Sequence, residues 1–139
     1  MRITAAQRED MRVMGEAAYP NEGCGIFLGS FGDGGEAEVA EVRRATNLRQ
    51  DRARDRYIMD PRDQLQAERD ARERGLEVVG FWHTHPDHPA RPSEYDADHA
   101  WATYVYVIMA ILSGKHVDVT AWVLDSEDPP VFREEAMRD

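Results

Sequence analysis

Residues 76–96 read LEVVGFWHTHPDHPARPSEYD, and this stretch is the most informative part of the sequence. Its apolar first part, residues 76–82, predicts a strand that delivers residues 83–85 at its C-terminal end. Three prolines within residues 86–92 predict a stiff loop, because proline restricts the backbone. A helix is expected to begin at Ser93, a residue type that favours helix N-caps.

Four polar side chains of this stretch are expected to meet. His83 and His85 stand at positions i and i+2 of a strand, so both project from the same face. Ser93 and Asp96 stand at i and i+3, which places both on one side of the first helical turn. If the loop folds this turn back over the strand end, two imidazoles, a carboxylate and a hydroxyl converge. Three protein ligands with an open fourth position are typical of catalytic rather than structural zinc.

Each half of this pattern also has an ordinary structural interpretation. A His-x-His pair at a strand end can be incidental, because short motifs match by chance. The Ser-x-x-Asp pair can simply cap a helix, with Ser93 as N-cap and Asp96 replacing the usual Glu or Gln. Taken singly, each half favours that interpretation. Taken together over residues 83–96, the two halves favour a metal site.

The chain resembles the JAMM (MPN+) metalloproteases, whose motif comprises an upstream glutamate, two histidines, a serine and an aspartate. All five positions are filled here, by Glu22, His83, His85, Ser93 and Asp96. The resemblance extends roughly over residues 5–125, and it is to compact prokaryotic members, in particular the sulfur-carrier-associated bacterial group. It implies the MPN fold, an α/β (α+β) architecture with a mixed, curved β-sheet flanked by helices. The MPN fold resembles the architecture of cytidine deaminase, but its metal site is different.

The resemblance also implies a role for each motif residue. His83, His85 and Asp96 would bind Zn²⁺, and a water molecule would fill the fourth position. Glu22 would accept the proton of that water and return it to the leaving amine. Ser93 would hydrogen-bond the oxyanion that develops on the substrate carbonyl. Without the motif, Glu22 would be interpreted as an exposed loop carboxylate.

The rest of the chain predicts further elements of one domain, residues 1–139. The spacing of apolar residues predicts a helix over residues 5–18. Asp60 followed by Pro61 predicts the N-cap and first residue of a second helix, which ends at Gly75. Strands are expected over residues 25–29, 38–42, 57–59, 104–112, 117–124 and 131–135.

Composition excludes several function classes. The 139 residues carry 17 Lys and Arg against 27 Asp and Glu, a formal net charge of −10. Such a balance disfavours non-specific nucleic-acid binding and anionic-membrane binding, because both are favoured by Lys and Arg on one face. A single cysteine excludes internal disulfides and every zinc site that needs two thiolates, including that of the deaminases. With no signal-peptide pattern and no apolar run long enough to span a bilayer, a cytoplasmic protein is expected.

The family resemblance implies a peptidase or isopeptidase that acts after the Gly-Gly tail of a ubiquitin-like or sulfur-carrier protein. The chain is expected to work as a monomer or homo-oligomer. An alternative is a catalytically inactive MPN scaffold that binds partners, and zinc content would discriminate the two. A third possibility is a deaminase-like hydrolase of a small molecule, against which the missing Cys-x-x-C pattern argues.

Several features near the motif stay open at this stage. Cys24 is better interpreted as a small buried residue than as a nucleophile, and His88 as a solvated loop residue. The role of His99, one helical turn beyond Asp96, is not assigned. Residues 43–74 hold ten arginines against seven carboxylates, which is either a solvated surface or a docking surface for the carrier. If it is a docking surface, replacing several of Arg49, Arg52, Arg54 and Arg56 by Glu should weaken carrier binding and make it less sensitive to salt.

Overall fold

The computed structural model describes residues 1–49, 51 and 57–139, which form helices α1–α3 and strands β1–β6. A short 3₁₀ turn at Asp33–Gly35 joins the first two strands. In chain order the elements are α1 (Ala5–Ala18), β1 (Cys24–Phe31), β2 (Ala37–Ala45), α2 (Pro61–Glu73), β3 (Glu77–Pro86), α3 (Glu94–Asp98), β4 (Val105–Leu112), β5 (Lys115–Glu127) and β6 (Pro130–Glu135).

Within the described ranges, six strands form one mixed sheet in the order β2-β1-β3-β4-β5-β6. Strands β3 and β4 are parallel, and every other neighbouring pair is antiparallel. The parallel pair requires a crossover connection, which is supplied by the proline loop and α3. The expected α+β architecture is therefore confirmed, with β3 in the interior of the sheet.

Helices α1 and α2 cover opposite faces of the sheet. Phe27 belongs to the apolar core beneath α1, which also contains Met11 and Trp82. Its neighbours on β1, Ile26 and Leu28, point the other way and pack against Ala67 and Ala71 of α2. This alternation follows from the two-residue period of a strand. The α2 face is the one that also carries the candidate site.

The predicted helix boundaries are confirmed by their caps. Thr4 and Gln7 form a reciprocal capping box before α1. The Asp60 side chain accepts a hydrogen bond from the backbone N–H of Arg62, and Pro61 is the first residue of α2. The chain leaves α2 through Gly75, whose φ of 69° is a left-handed conformation that favours glycine. Among the described helices, none is long and apolar enough to cross a membrane.

Two strand predictions need correction. Residues 57–59 do not form a strand, because their pairing is limited to a single bridge between Asn47 and Met59. Strand β3 continues to Pro86 instead of ending at Trp82, because β4 pairs with it in parallel up to Pro86. Both histidines of the motif therefore lie inside a strand.

Strand β1 lies so close to Trp82 that position 25 has no room for a side chain. The Trp82 indole N–H donates to the Arg43 carbonyl oxygen at 3.0 Å and passes directly over Gly25. A Cβ at position 25 would lie 2.0 Å from that carbonyl oxygen and 2.1 Å from the indole nitrogen. Contacts this short force the backbone or the buried indole to move.

We expect Gly25→Ala to lower the free energy of unfolding by about 3 kcal/mol, because it overpacks the core beside Trp82. Urea unfolding followed by tryptophan fluorescence measures the change. Ser30→Ala at an exposed position of the same strand is the control, with an expected change below about 0.5 kcal/mol. Equal stability of Gly25→Ala and wild type would contradict the close approach.

Candidate metal centre

Strand β3 presents the two motif histidines on the α2 face of the sheet. His83 is paired with Cys24 on β1 and with Ile108 on β4, which holds its backbone on both sides. Thr84 points to the opposite face, where it lies against Gly15 of α1 and accepts a hydrogen bond from the Gly23 N–H at 2.8 Å. The side chains of His83 and His85 are only 2% and 11% exposed.

The Asp96 carboxylate meets both imidazoles. The two Nε2 atoms of His83 and His85 lie 3.1 Å apart. Asp96 Oδ1 lies 3.2 Å from the first of them, and Asp96 Oδ2 lies 3.2 Å from the second. Ligand bonds of about 2.0–2.1 Å in a tetrahedral zinc site place ligand atoms about 3.3 Å apart. The spacing of these donors therefore fits a tetrahedral ion such as zinc.

The orientation of His85 is set by a backbone carbonyl in the proline loop. Its Nδ1 lies 2.8 Å from the carbonyl oxygen of Pro89. A carbonyl oxygen only accepts, so Nδ1 carries a proton and Nε2 is the ring nitrogen that faces the cluster, where a bound metal ion would take the place of any proton. Metal-ligating histidines are commonly held in this way. The proline loop thus contributes a contact that suits His85 for metal binding.

The electrostatics of the cluster keep Asp96 ionised. Burial by itself would raise the pKa of this carboxyl group. The charge and hydrogen bond of His83, the hydrogen bond of His85 and the backbone N–H of Ser93 together act more strongly in the opposite direction. The pKa of Asp96 is therefore held well below its ordinary value, so the carboxylate is available as a ligand.

Glu22 lies beside the same histidines. It is only 5% exposed, and one of its carboxylate oxygens lies within 4.8 Å of a ring nitrogen of each histidine. Its backbone carbonyl accepts a hydrogen bond from the Asn47 side chain at 3.1 Å. Glu22, His83 and His85 could thus hold a metal ion themselves. The alternative interpretation of Glu22 as an exposed loop carboxylate does not agree with this burial.

Ser93 has the first of the two roles considered for it, that of the N-cap of α3. Its hydroxyl accepts a hydrogen bond from the Asp96 N–H at 3.1 Å, and its own N–H donates to Asp96 Oδ2 at 2.9 Å. This reciprocal capping box begins α3 and turns the Asp96 carboxylate toward the histidines. The hydroxyl keeps its own hydrogen for donation to another group. Capping and a role in the site are therefore compatible.

Sequence reasoning assigned no role to Asn47, although its side chain joins two parts of the site. Asn47 Oδ1 accepts from the backbone N–H groups of Arg49 and Ile58, at 2.9 and 3.1 Å. Its amide also donates to the Glu22 carbonyl, as noted above. Tyr57, next to Ile58, stacks on His83 with ring centroids 5.0 Å apart. No short spacing rule links residues so distant in sequence.

The structure shows the surroundings of three residues near the motif, His88, His99 and Cys24. His88 is exposed in the proline loop. His99 follows α3, stacks on Tyr95 with centroids 4.1 Å apart, and is exposed. Cys24 is fully buried, and burial, followed by the charge of Glu22, raises the pKa of its thiol to about 12. The interpretation of Cys24 as a small buried residue is confirmed.

A cleft with aromatic walls opens beside His83 and Asp96. Its inner part has a volume of about 320 Å³. An adjoining part of about 380 Å³ leads to Trp101, which is 63% exposed. Apart from Asp96, the described residues that line the cleft include no Asp, Glu, Lys or Arg. The ring-bearing residues of its walls are Tyr57, Phe81, His83, Tyr95, His99, Trp101, Tyr104, Tyr106 and Phe132.

The arginine-rich region is partly neutralised within the chain. Arg43 pairs with Glu41 and Asp70, and Arg74 pairs with Glu41. Further pairs join Arg49 to Asp51 and Arg62 to Asp60. Arg44, Arg69 and Arg72 are exposed and form no ion pair with a described residue. Arg52, Arg54 and Arg56 lie outside the described residues.

The chain is similar to a known protein family and to a curated relative. The family model of prokaryotic homologs of the JAB domain matches residues 4–125. A desampylase from Haloferax volcanii is 31% identical over 90 residues. That alignment covers 64% of this chain and 62% of the relative, so it spans less than two thirds of that protein.

Solved structures share the fold of this chain. A protein from Salinibacter ruber is 39% identical, with a TM-score of 0.77 over 99% of this chain and 90% of that one. A protein from Desulfitobacterium hafniense is 33% identical, with a TM-score of 0.83 over 98% and 90% of the two chains. A JAB1/MPN domain protein from Archaeoglobus fulgidus has a TM-score of 0.60 over the full length of both chains. At 16% identity it shows the fold alone.

Proposed function

Because this chain belongs to the prokaryotic homologs of the JAB domain, we propose that it is a zinc-dependent peptidase or isopeptidase. Its proposed substrate is a ubiquitin-like or sulfur-carrier protein, cleaved after the Gly-Gly end of its tail. The observation that carries the proposal is the convergence of His83, His85 and Asp96, whose donor atoms lie 3.1–3.2 Å apart. The buried carboxylate of Glu22 beside them supports a hydrolytic rather than a purely structural role.

Each residue of the proposed site has a distinct task. His83, His85 and Asp96 hold the ion, and the Pro89 carbonyl keeps His85 in the required tautomer. Zinc, when bound, lowers the pKa of a water molecule toward about 7 and polarises the substrate carbonyl. Glu22 accepts the proton of the attacking water at its carboxylate and returns it to the leaving amine.

The Ser93 hydroxyl is proposed to donate a hydrogen bond to the oxygen of the substrate carbonyl as negative charge develops there. Oriented donors of this kind stabilise the transition state because they need no rearrangement during the reaction. The capping interaction with the Asp96 N–H uses the Ser93 oxygen only as an acceptor. The hydroxyl hydrogen is therefore free to serve the substrate.

Two observations support a protein tail as the substrate. The likeness to a desampylase supports a ubiquitin-like substrate, over the part of that relative which the alignment spans. The aromatic cleft beside His83 and Asp96 has no carboxylate or basic side chain other than Asp96 among its described lining residues. Such walls suit an extended, uncharged segment of chain better than a charged group.

We expect the purified protein to shorten a Gly-Gly-tailed carrier conjugate by hydrolysis at the bond after the second glycine. Incubation with carrier–peptide and carrier–lysine conjugates, followed by intact-mass analysis, identifies the bond cleaved. A chelator should abolish cleavage, and added Zn²⁺ should restore it, because the reaction depends on the ion. Zinc binding without cleavage of any conjugate would favour a non-catalytic scaffold. Hydrolysis of nucleosides would instead support a small-molecule hydrolase.

A further inference from the structure

The two histidines of the candidate metal centre are held by different means. His85 has a hydrogen-bond partner for its Nδ1, the Pro89 carbonyl at 2.8 Å. The Nδ1 of His83 is buried and has no hydrogen-bond partner among the described residues. A metal-ligating histidine is usually oriented by a hydrogen bond on the nitrogen that faces away from the metal. For His83, something other than a hydrogen bond must orient the ring.

The ring of His83 is covered by the ring of Tyr57. The two centroids lie 5.0 Å apart, and the ring planes meet at only 29°, so the rings are stacked. The His83 side chain is 2% exposed, which leaves its ring little space in which to turn. Stacked aromatic pairs at this distance contribute beyond the area that they bury. Packing against Tyr57 is thus available to hold His83.

Tyr57 is itself attached to a well-connected segment. Its neighbour Ile58 donates its N–H to Asn47 Oδ1 at 3.1 Å, and the Ile58 carbonyl accepts from the Leu48 N–H at 2.8 Å. Two residues further on, the Asp60 N–H donates to the Thr46 carbonyl at 2.9 Å. These bonds connect the segment to the residues that follow β2, so the Tyr57 ring presents a fixed surface to His83.

We propose that Tyr57 is a positioning residue for His83, and that its ring performs by stacking what the Pro89 carbonyl performs for His85 by hydrogen bonding. The inference rests on the proposed function in taking His83 as a metal ligand. Loss of the Tyr57 ring lets the imidazole turn away, so its Nε2 points at the ion for less of the time. Removal of a group that orients a ligand typically weakens metal affinity about 10- to 100-fold.

The tests use the metal alone, so they need no substrate. Co²⁺ is added to the purified full-length chain, and visible absorption reports both its affinity and its coordination geometry. We expect Tyr57→Leu to bind Co²⁺ about tenfold more weakly and to change the absorption spectrum. Tyr57→Phe keeps the ring and should stay within about twofold of wild type. If Tyr57→Leu does not fold, Tyr57→Met takes its place, because the flexible Met side chain fills irregular space.

The matched control is Tyr104→Leu. Tyr104 packs on Phe81, also with centroids 5.0 Å apart, but neither of these residues is a candidate ligand. This variant removes a comparable aromatic contact and should leave Co²⁺ affinity and spectrum unchanged. Equal affinity for Tyr57→Leu and wild type overturns the inference. An equal loss for Tyr57→Leu and Tyr104→Leu also overturns it, since general destabilisation then explains the effect. If wild type itself binds no Co²⁺ or Zn²⁺, the proposed function fails instead.

Discussion

Replacing Glu22 by Gln should lower kcat for hydrolysis about a thousandfold, while the chain retains its metal ion. Glutamine has nearly the shape of glutamate, but its amide cannot accept the proton of the attacking water. The burial of Glu22 next to the histidines means that no bulk water replaces it easily as a base. Steady-state hydrolysis of a carrier conjugate, together with elemental analysis of the same preparation, measures both quantities.

The matched variant for this test is Asp96→Asn, which makes the same chemical change at the other carboxylate of the site. Both Glu22 and Asp96 lie near the two histidines, so either could be the third ligand. With Asp96 as the ligand, Asp96→Asn loses the ion and Glu22→Gln keeps it. The reverse result would exchange the two roles: Glu22 would then be the third ligand, and Asp96 would not be a ligand.

The second large effect is expected for His85→Ala, which should reduce bound zinc from about one ion per chain to below about 0.1, and hydrolysis with it. One of three protein ligands is lost, and the remaining two do not compete well with water for the ion. Elemental analysis after dialysis measures the zinc content of the variant.

His88→Ala is the control for this measurement, because His88 is an exposed histidine in the proline loop three positions away. It should bind as much zinc as wild type. Equal zinc in His85→Ala and wild type would contradict the assignment of His85 as a ligand. A matching loss in His88→Ala would show that the loop as a whole, and not the His85 ring, controls binding.

Local sequence patterns predicted those parts of the structure that depend on near neighbours. Asp60 and Pro61 begin α2 as expected, since capping needs only residues within one turn. Ser93 and Asp96 begin α3 for the same reason. The strand predicted over residues 57–59 is wrong. Three apolar residues form a strand only where a long partner strand is available. Their partner is the short segment around Asn47.

In the candidate site, too, some residues are positioned by local patterns and others by contacts between parts of the chain that are distant in sequence. His83 and His85 follow from the two-residue period of a strand, and the approach of Asp96 follows from one capped turn. The position of Glu22 depends on the register between β1 and β3, which pairs Cys24 with His83. Only the family resemblance pointed to Glu22 from the sequence. Tyr57 reaches His83 through packing across 26 positions of chain, which no local pattern encodes.

The burial of Cys24 makes the chain's single thiol a built-in reporter of sheet opening. Alkylating reagents attack the thiolate, and this one is shielded between β1's two neighbouring strands with a pKa raised to about 12. Its alkylation rate therefore measures how often these strands separate beside the candidate metal centre. A cysteine introduced at exposed Ser30 would react first and accept a fluorophore selectively. The native thiol needs no removal before such labelling.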